Sequence, residues 1–206
     1  MKSKNIKPWE IVKLGLILMV YTAAACVGLA FVYAKTKAVI DKQETANLEA
    51  AIKELFPDAD GFSDIKGTIP NHDSGVIFEN EYRITLKNKL IGAAIQASGG
   101  GYGGPIKVLV GVKADGTISR IKIMSHSETP GLGANAEKAN YFVDKSAGIT
   151  FYDQFAGKVV ADPFEPKNDI IAITASTITS RAISGIVRVV GRAAAQWLLS
   201  TEGAQP

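Results

Sequence analysis

The sequence contains 206 residues, of which 47% are hydrophobic, and its formal net charge is +3. One Cys excludes a disulfide framework and any metal site built from several thiolates, and two His residues argue against a His-built metal centre. The charge is too mild and too evenly spread for an electrostatic nucleic-acid binder. We therefore expect neither a metal site nor a nucleic-acid partner.

The first predicted element is a membrane-spanning helix over residues 14–34. These residues carry no charge, and as a helix they measure about 30 Å, the thickness of the hydrocarbon core of a bilayer. Trp9 and Tyr33 lie near the two ends, where amphipathic rings favour the membrane interface. Slightly more Lys residues precede the span than follow it, which favours a cytoplasmic location for residues 1–13.

Two other interpretations of this segment stay open. A cleaved signal peptide has a shorter apolar region, of roughly 7–15 residues. Residues 23–26, Ala-Ala-Ala-Cys, faintly resemble a lipoprotein cleavage box. Apolar sequence continues beyond Cys26 to Tyr33, however, where a mature lipoprotein would become polar. A retained single span is the interpretation that we favour, with Cys26 as a small apolar residue inside the membrane.

The chain after the span is predicted to be a juxtamembrane helix followed by one domain. Leu48, Ile52 and Leu55 recur at helical spacing, which predicts a helix over residues 35–56 that ends before Pro57. The remaining residues, 57–206, have the length of one compact domain.

The first half of this domain is rich in predicted strands, and helices flank it. Asp115-Gly116 is a hairpin signal between two alternating segments. The predicted strands are Gly75–Glu79, Tyr82–Leu86, Leu90–Ala97, Ile106–Lys113 and Ile118–Met124, and the predicted helices are Ala136–Asp144 and Ser180–Leu199. This order predicts an α+β fold class, in which one N-terminal transmembrane helix precedes a single, mostly antiparallel domain with flanking helices.

A glycine-rich segment, residues 98–105, invites comparison with a nucleotide-binding loop. Such a loop requires a helix directly after it, because the free N–H groups of the helix start bind the phosphate. Here Pro105 and an alternating strand follow. We favour a glycine connection that needs unusual backbone conformations, and one wall of a binding site is the alternative.

The segment His-Ser-Glu-Thr-Pro-Gly-Leu-Gly, residues 126–133, follows the second strand of the hairpin. Its Pro-Gly pair is ordinary turn chemistry. The same run offers an imidazole, hydroxyls and a carboxylate beside Leu132, as a planar polar ligand requires. The residues alone leave both interpretations open, and His126 by itself is more typical of a strand-end surface residue than of a catalyst.

Hydroxyl side chains are concentrated in residues 174–180, directly before the C-terminal helix. Thr179 or Ser180 can cap that helix, but the segment holds more hydroxyls than one cap requires. A helix start also offers N–H groups and a partial positive charge to a phosphate. A phosphorylated ligand held here is the second interpretation. Known nucleophile, Walker A and zinc-protease patterns are absent from the sequence, which therefore predicts no catalytic residue.

Three segments in this order, residues 101–106, 128–133 and 174–180, together with Gln-Phe-Ala-Gly-Lys at 154–158, resemble a known family. They are similar to the covalent-FMN subunits of respiratory ion pumps, above all the G subunit of Rnf ferredoxin:NAD oxidoreductase complexes. The C subunit of the sodium-pumping NADH:quinone reductase shares the FMN-binding domain and is the alternative. The resemblance covers nearly the whole chain and makes residues 57–206 the FMN-binding domain.

The resemblance implies an electron-transfer subunit that is not catalytic alone and that relays electrons within a larger ion-pumping assembly. Its partners are then other membrane subunits of the complex, the lipid bilayer and a flavin transferase for maturation. It implies a single-pass protein of the cytoplasmic membrane with the FMN domain on the extracytoplasmic side. Two further alternatives are a membrane-tethered module that binds a phosphorylated ligand noncovalently, and a flavin reductase that acts alone.

In this family FMN is joined as a phosphoester to the last Thr of a Ser/Thr-Gly-Ala-Thr motif, which a flavin transferase modifies using FAD. The resemblance makes Thr177 the acceptor here, with Ser176 as a second hydroxyl. The sequence departs from the pattern at three positions, because Ala175 replaces Gly, Ser176 replaces Ala, and Ile171 replaces an Asp. The full set of residues that the resemblance assigns to FMN is Thr177, Glu128, Thr129, Leu132, Gly133, Thr174, Ala175, Ser176, Ile178 and Thr179.

Overall fold

A long helix, α1 (Pro8–Leu55), opens the computed structural model, which describes residues 8–200. Within these residues it is the one helix that is long and apolar enough to cross a membrane, and its large apolar side chains from Trp9 to Ile40 are exposed. The helix continues unbroken from the predicted span into the predicted juxtamembrane region and ends two residues before Pro57. Contacts divide the chain into two units, one up to Glu49 and one from Ala50 onward.

The last turns of α1 belong to the second unit, where they pack on the sheet. Ile52 and Leu55 are almost fully buried, and the Ser119 hydroxyl donates a hydrogen bond of 2.6 Å to the Leu55 carbonyl oxygen. A Cβ atom added at Gly92 would lie 2.9 Å from the ring of Phe56. Glycine is therefore required where this ring covers the sheet.

The sheet contains five strands in chain order, each antiparallel to its neighbours. The strands are β1 (Gly61–Asp64), β2 (Val76–Leu86), β3 (Lys89–Gly100), β4 (Pro105–Lys113) and β5 (Ile118–Ser125). The predicted α+β class with a mostly antiparallel sheet is confirmed. The two strands predicted over residues 75–86 are one strand, β2, with an irregularity between Phe78 and Asn80. Strand β1 was not predicted from the sequence, because most of its residues are exposed and show no apolar alternation.

The prediction of a helix over Ala136–Asp144 is wrong. The chain instead forms a 3₁₀ helix over Gly133–Glu137 and then strand β6 (Phe142–Asp144), which pairs with β7 (Ile149–Thr150). A second 3₁₀ helix covers Asp153–Phe155. Helix propensity is a weak determinant in a short segment, and here the burial of the first four residues of the 3₁₀ helix decides the conformation.

The C-terminal helix, α2 (Thr177–Leu199), packs on β3 and β4. Its apolar stripe joins strand residues and phenylalanines from the second half of the domain in the main core. The buried members include Ile183, Val187, Val190, Trp197, Val108, Val110, Phe151 and Phe155. The helix begins three residues before its predicted start at Ser180, which places Thr177 in its first turn.

Candidate functional site

A cavity of about 410 Å³ lies at the N-terminal end of α2. Three segments form its walls: the glycine-rich connection between β3 and β4, the turn after β5, and the start of α2. The lining residues are Tyr102, Glu128, Thr129, Leu132, Gly133, Ala175, Ser176, Thr177, Ile178 and Thr179. The three segments that the sequence analysis treated separately therefore meet around one cavity.

Every residue that the family resemblance assigned to the ligand lines this cavity except Thr174. The backbone N–H of Thr174 instead lies 3.3 Å from the hydroxyl oxygen of Tyr141, to which it donates a hydrogen bond. Tyr102 lines the cavity but was not among the predicted residues. An aromatic residue between glycines was the sequence signal that would have indicated it.

Glu128 belongs to the turn after β5 and makes hydrogen bonds to both of the other walls. Its side chain is 6% exposed. Its Oε1 atom accepts hydrogen bonds from the backbone N–H groups of Tyr102 at 2.8 Å and Gly103 at 3.0 Å. Its Oε2 atom accepts a hydrogen bond of 2.6 Å from the Thr179 hydroxyl. One carboxylate thus links the glycine-rich connection to the first turn of α2.

The glycines beside Tyr102 permit this close approach. A Cβ atom at Gly101 would overlap Glu128 Oε1, and one at Gly103 would overlap the carbonyl oxygen of Ser127. The segment can therefore lie directly on the turn after β5 only with glycine at both positions. The glycine-rich run is therefore a close backbone connection, as expected, and it also forms one wall of the cavity.

The environment of Glu128 keeps its carboxyl group ionised. Burial raises the pKa of this group, but hydrogen bonds from Thr179, Gly103 and Tyr102 and, when its ring is protonated, the charge of His126 outweigh it, so the pKa lies below its usual value. Glu128 is consequently a carboxylate at neutral pH. It serves as a hydrogen-bond acceptor that fixes the walls, and it is not a general acid.

The start of α2 offers hydrogen-bond donors to the cavity. Ser176 precedes the helix and makes no side-chain capping hydrogen bond. Within residues 8–200 the backbone N–H groups of residues 177–179 have no protein acceptor. The Thr177 side chain is half-buried, whereas Ser176 is 7% exposed. Free N–H groups at a helix start favour an anion, and the hydroxyl of Thr177 lies beside them.

The expected caps of this helix are wrong. The Thr179 hydroxyl is bound to Glu128. The Ser180 hydroxyl accepts a hydrogen bond of 3.0 Å from the Ile173 N–H and donates one of 2.9 Å to the Ser176 carbonyl oxygen. Both residues lie inside the helix, and the residue at the cap position is Ser176, whose side chain makes no capping hydrogen bond and so leaves the first N–H groups free.

Ala175 occupies a backbone conformation that suits glycine. Its φ angle is +59°, in the left-handed region. An L side chain costs roughly 1 kcal/mol in this region because its Cβ approaches the following carbonyl oxygen. Glycine, which the family motif has at this position, adopts this conformation without strain, whereas Ala175 adopts it at an energetic cost.

The segment before the motif is held by Gln154. Its amide oxygen accepts the Ile171 N–H at 2.7 Å, and its amide nitrogen donates to the Ile171 carbonyl oxygen at 3.1 Å. The side chain of Ile171 is half exposed. The carboxylate of Asp169, two residues before Ile171, accepts the N–H groups of Phe164 and Glu165 within its own loop.

Comparison with known proteins identifies the family. The description "FMN-binding domain" matches residues 101–190, and "RnfG N-terminal region" matches residues 1–55. The G subunit of the Na(+)-translocating ferredoxin:NAD(+) oxidoreductase complex of Acetobacterium woodii is 33% identical, with 91% of this chain and 94% of that protein covered. The chain belongs to the family of G subunits of ion-translocating oxidoreductase complexes.

Two further members of this G-subunit family are similar over most of their length. The G subunit of the proton-translocating ferredoxin:NAD(+) oxidoreductase complex of Clostridium ljungdahlii is 36% identical over 76% of each chain. The G subunit of the ion-translocating oxidoreductase complex of Cereibacter sphaeroides is 30% identical, over 84% of this chain and 79% of that protein. The resemblance inferred from the three motifs is therefore confirmed.

The cavity fits the cofactor that the matched domain implies. The match over residues 101–190 contains every lining residue. The volume lies within the usual range of ligand pockets, about 300–1,000 Å³. Free N–H groups and hydroxyls at the helix start suit a phosphate, whereas Leu132, Ile178 and Tyr102 supply apolar surface for a planar ring.

Proposed function

We propose that this chain is the electron-transfer subunit of an Rnf-type ion-translocating ferredoxin:NAD oxidoreductase complex and carries covalent FMN in the cavity at the start of α2. The observation that carries this proposal is the meeting of the three family segments around Thr177. The C-type subunit of the sodium-pumping quinone reductase is the weaker alternative, because the matching relatives are G subunits.

Thr177 is the acceptor of the phosphoester in this proposal. Its half-buried side chain is more accessible to a modifying flavin transferase than the buried Ser176. The attached phosphate would carry negative charge next to three free N–H groups at a helix start, where it is electrostatically favoured. The helix start favours a phosphate on either hydroxyl, and the greater accessibility of Thr177 selects it over Ser176.

The protein residues hold the cofactor, and the bound flavin supplies the redox chemistry. Glu128 fixes the walls through its three hydrogen bonds. Leu132 and Ile178 present apolar side chains at the cavity, where they would exclude water from a bound flavin ring. Electron transfer requires no general acid or base from this chain.

Helix α1 anchors the protein in this proposal. The apolar span crosses the cytoplasmic membrane once, with the N-terminus in the cytoplasm and the FMN domain on the extracytoplasmic side. Other membrane subunits of the complex exchange electrons with the flavin. The apolar, exposed side chains along α1 support the membrane location.

Intact-protein mass spectrometry on denatured protein tests the attachment. The wild type and the Thr177→Ala variant are each co-expressed with a flavin transferase, with Ser176→Ala and Thr174→Ala as matched controls. The wild type and both controls should gain the mass of one FMN less one water, and Thr177→Ala should not. A gain that persists in Thr177→Ala but disappears in Ser176→Ala would move the phosphoester to Ser176.

A wild type without added mass would contradict the covalent proposal. The free N–H groups at the start of α2 would then support the noncovalent binding module, which should release a phosphorylated ligand on denaturation. Purification of a flavin-loaded chain that is active alone, without integral membrane partners, would instead favour the independent reductase.

A further inference from the structure

His126 lies two residues before the segment 128–133, which forms one wall of the cavity. Its Nδ1 atom accepts a hydrogen bond of 3.2 Å from the backbone N–H of Glu128. Its Nε2 atom lies 3.4 Å from Oε1 of Glu137, and the side chain is 12% exposed. The imidazole thus contacts both the start of the wall segment and the end of the 3₁₀ helix Gly133–Glu137.

These two contacts specify one protonation state of the ring. Because Nδ1 accepts a hydrogen bond, it carries no proton, and the single proton of a neutral imidazole is then on Nε2. That Nε2 atom is buried and has no hydrogen-bond partner within the described residues, and the Glu137 carboxylate faces it. A second proton would place an Nδ1–H group against the Glu128 N–H and break that hydrogen bond.

The 3₁₀ helix contacts both His126 and the start of α2. A Cβ atom at Gly133 would lie 2.5 Å from Glu128 Oε2 and 2.6 Å from Thr179 Oγ1. The first residue of the 3₁₀ helix therefore lies directly against the Glu128–Thr179 hydrogen bond. A shift of this helix changes the packing over the bond that joins two walls of the cavity.

We propose that His126 is a positioning residue of the flavin cavity, and that protonation of its ring releases the Glu128 amide and shifts the wall formed by residues 128–133. The charged groups against the ring are Glu137, from the 3₁₀ helix, and Glu128, two residues along its own segment. An imidazole commonly changes charge between pH 5 and 8. The part of this inference that concerns flavin rests on the proposed function.

The first test needs no flavin. Nitrogen-15 NMR of the full chain in detergent, labelled at histidine, observes two residues, and His72→Gln leaves only the signal of His126. The exposed His72 is the internal reference for an unconstrained ring. We expect the Nε2–H tautomer of His126 at pH 8, whereas an Nδ1–H tautomer would overturn the proposal.

The second test uses flavin as a reporter of the cavity wall. Visible circular dichroism of flavinylated wild type, His126→Gln and the matched control His72→Gln is recorded from pH 5 to 8. The flavin band of the wild type and of His72→Gln should change over this range, and that change should be lost in His126→Gln. A pH dependence that is the same in His126→Gln as in the wild type would overturn the inference.

Glu137→Gln provides a second variant that leaves the imidazole in place. Removing the facing carboxylate disfavours the protonated ring, so the change in the flavin band should move to lower pH. An unshifted titration would overturn the assigned contact. Absence of flavin from the wild type would refute the proposed function, while the tautomer of His126 would still decide this inference.

Discussion

The hydroxyl of Thr179 and the carboxylate of Glu128 lie 2.6 Å apart, although 51 positions separate them in the chain. This buried hydrogen bond joins the turn after β5 to the first turn of α2. It determines where Thr177 sits relative to the wall that contains Leu132. The geometry of the candidate flavin site therefore depends on a contact between distant parts of the chain.

The Thr179→Val variant tests this relationship, because valine has nearly the shape of threonine but lacks the hydroxyl. Removing a partner of a buried, charged acceptor should lower the free energy of unfolding by about 1–3 kcal/mol. The measurement is chemical denaturation of the full chain in detergent. Thr174→Val, an exposed position outside the cavity, is the control and should change stability by less than about 0.5 kcal/mol. Equal effects of both substitutions would contradict the role of the Glu128–Thr179 bond.

Acid stability should depend on Glu128. Its folded-state pKa is lower than its usual value, so the unfolded chain binds a proton here more readily than the folded chain. The stabilisation is present above the usual pKa of a glutamate and is lost as the pH falls through the lower folded value. Denaturation at a series of pH values from 7 to 3 should show a smaller acid-induced loss of stability in Glu128→Gln than in the wild type.

The pKa of Asp115 is also lowered, mainly by the Thr117 hydroxyl, so Asp115→Asn is the matched control for this titration. Asp115 lies in the exposed turn between β4 and β5, away from the cavity lining. The two variants should reduce the pH dependence independently, and their combination should be additive. A pH dependence that Glu128→Gln leaves intact would show that the carboxylate is not held as described.

Ala175→Gly should stabilise the protein. Glycine removes the left-handed strain of roughly 1 kcal/mol at φ +59°, and its entropy cost of at least about 0.4 kcal/mol leaves a net stabilisation of up to about 0.5 kcal/mol. Thermal denaturation measures the effect. Ala172→Gly, three residues earlier and outside the left-handed region, is the control and should be neutral or destabilising. A loss of stability in Ala175→Gly would refute the turn described here.

Gly103→Ala should disrupt the cavity wall. The added methyl group would overlap the carbonyl oxygen of Ser127, so the segment would have to move away from Glu128. We expect a destabilisation of at least about 2 kcal/mol and a reduced yield of flavinylated protein by mass spectrometry. Gly100→Ala is the matched control, because a Cβ atom there meets nothing within 4 Å. Similar flavin yields from both variants would count against the close contact.

Periodic and compositional signals predicted much of the fold. The uncharged run at residues 14–34 predicted the helix that became α1, and the alternation of branched apolar residues predicted the hairpin of β4 and β5. The signal failed over Ala136–Asp144, where local propensity favoured a helix but packing of residues 133–136 selected a 3₁₀ turn. It also failed at the start of α2, because the helix begins at Thr177 and the expected caps, Thr179 and Ser180, lie inside it.

By itself, the sequence determined the apolar anchor, the antiparallel strand pattern and the presence of three ligand-type segments, since each depends on residues close together in the chain. Only the tertiary structure decided that these segments form one cavity, that Tyr102 belongs to it and Thr174 does not, and that Glu128 is a structural acceptor. The deciding contacts join residues 25 to 51 positions apart. Contacts at such separations leave no period or local motif in the sequence, and they exist only once the sheet and α2 have packed together.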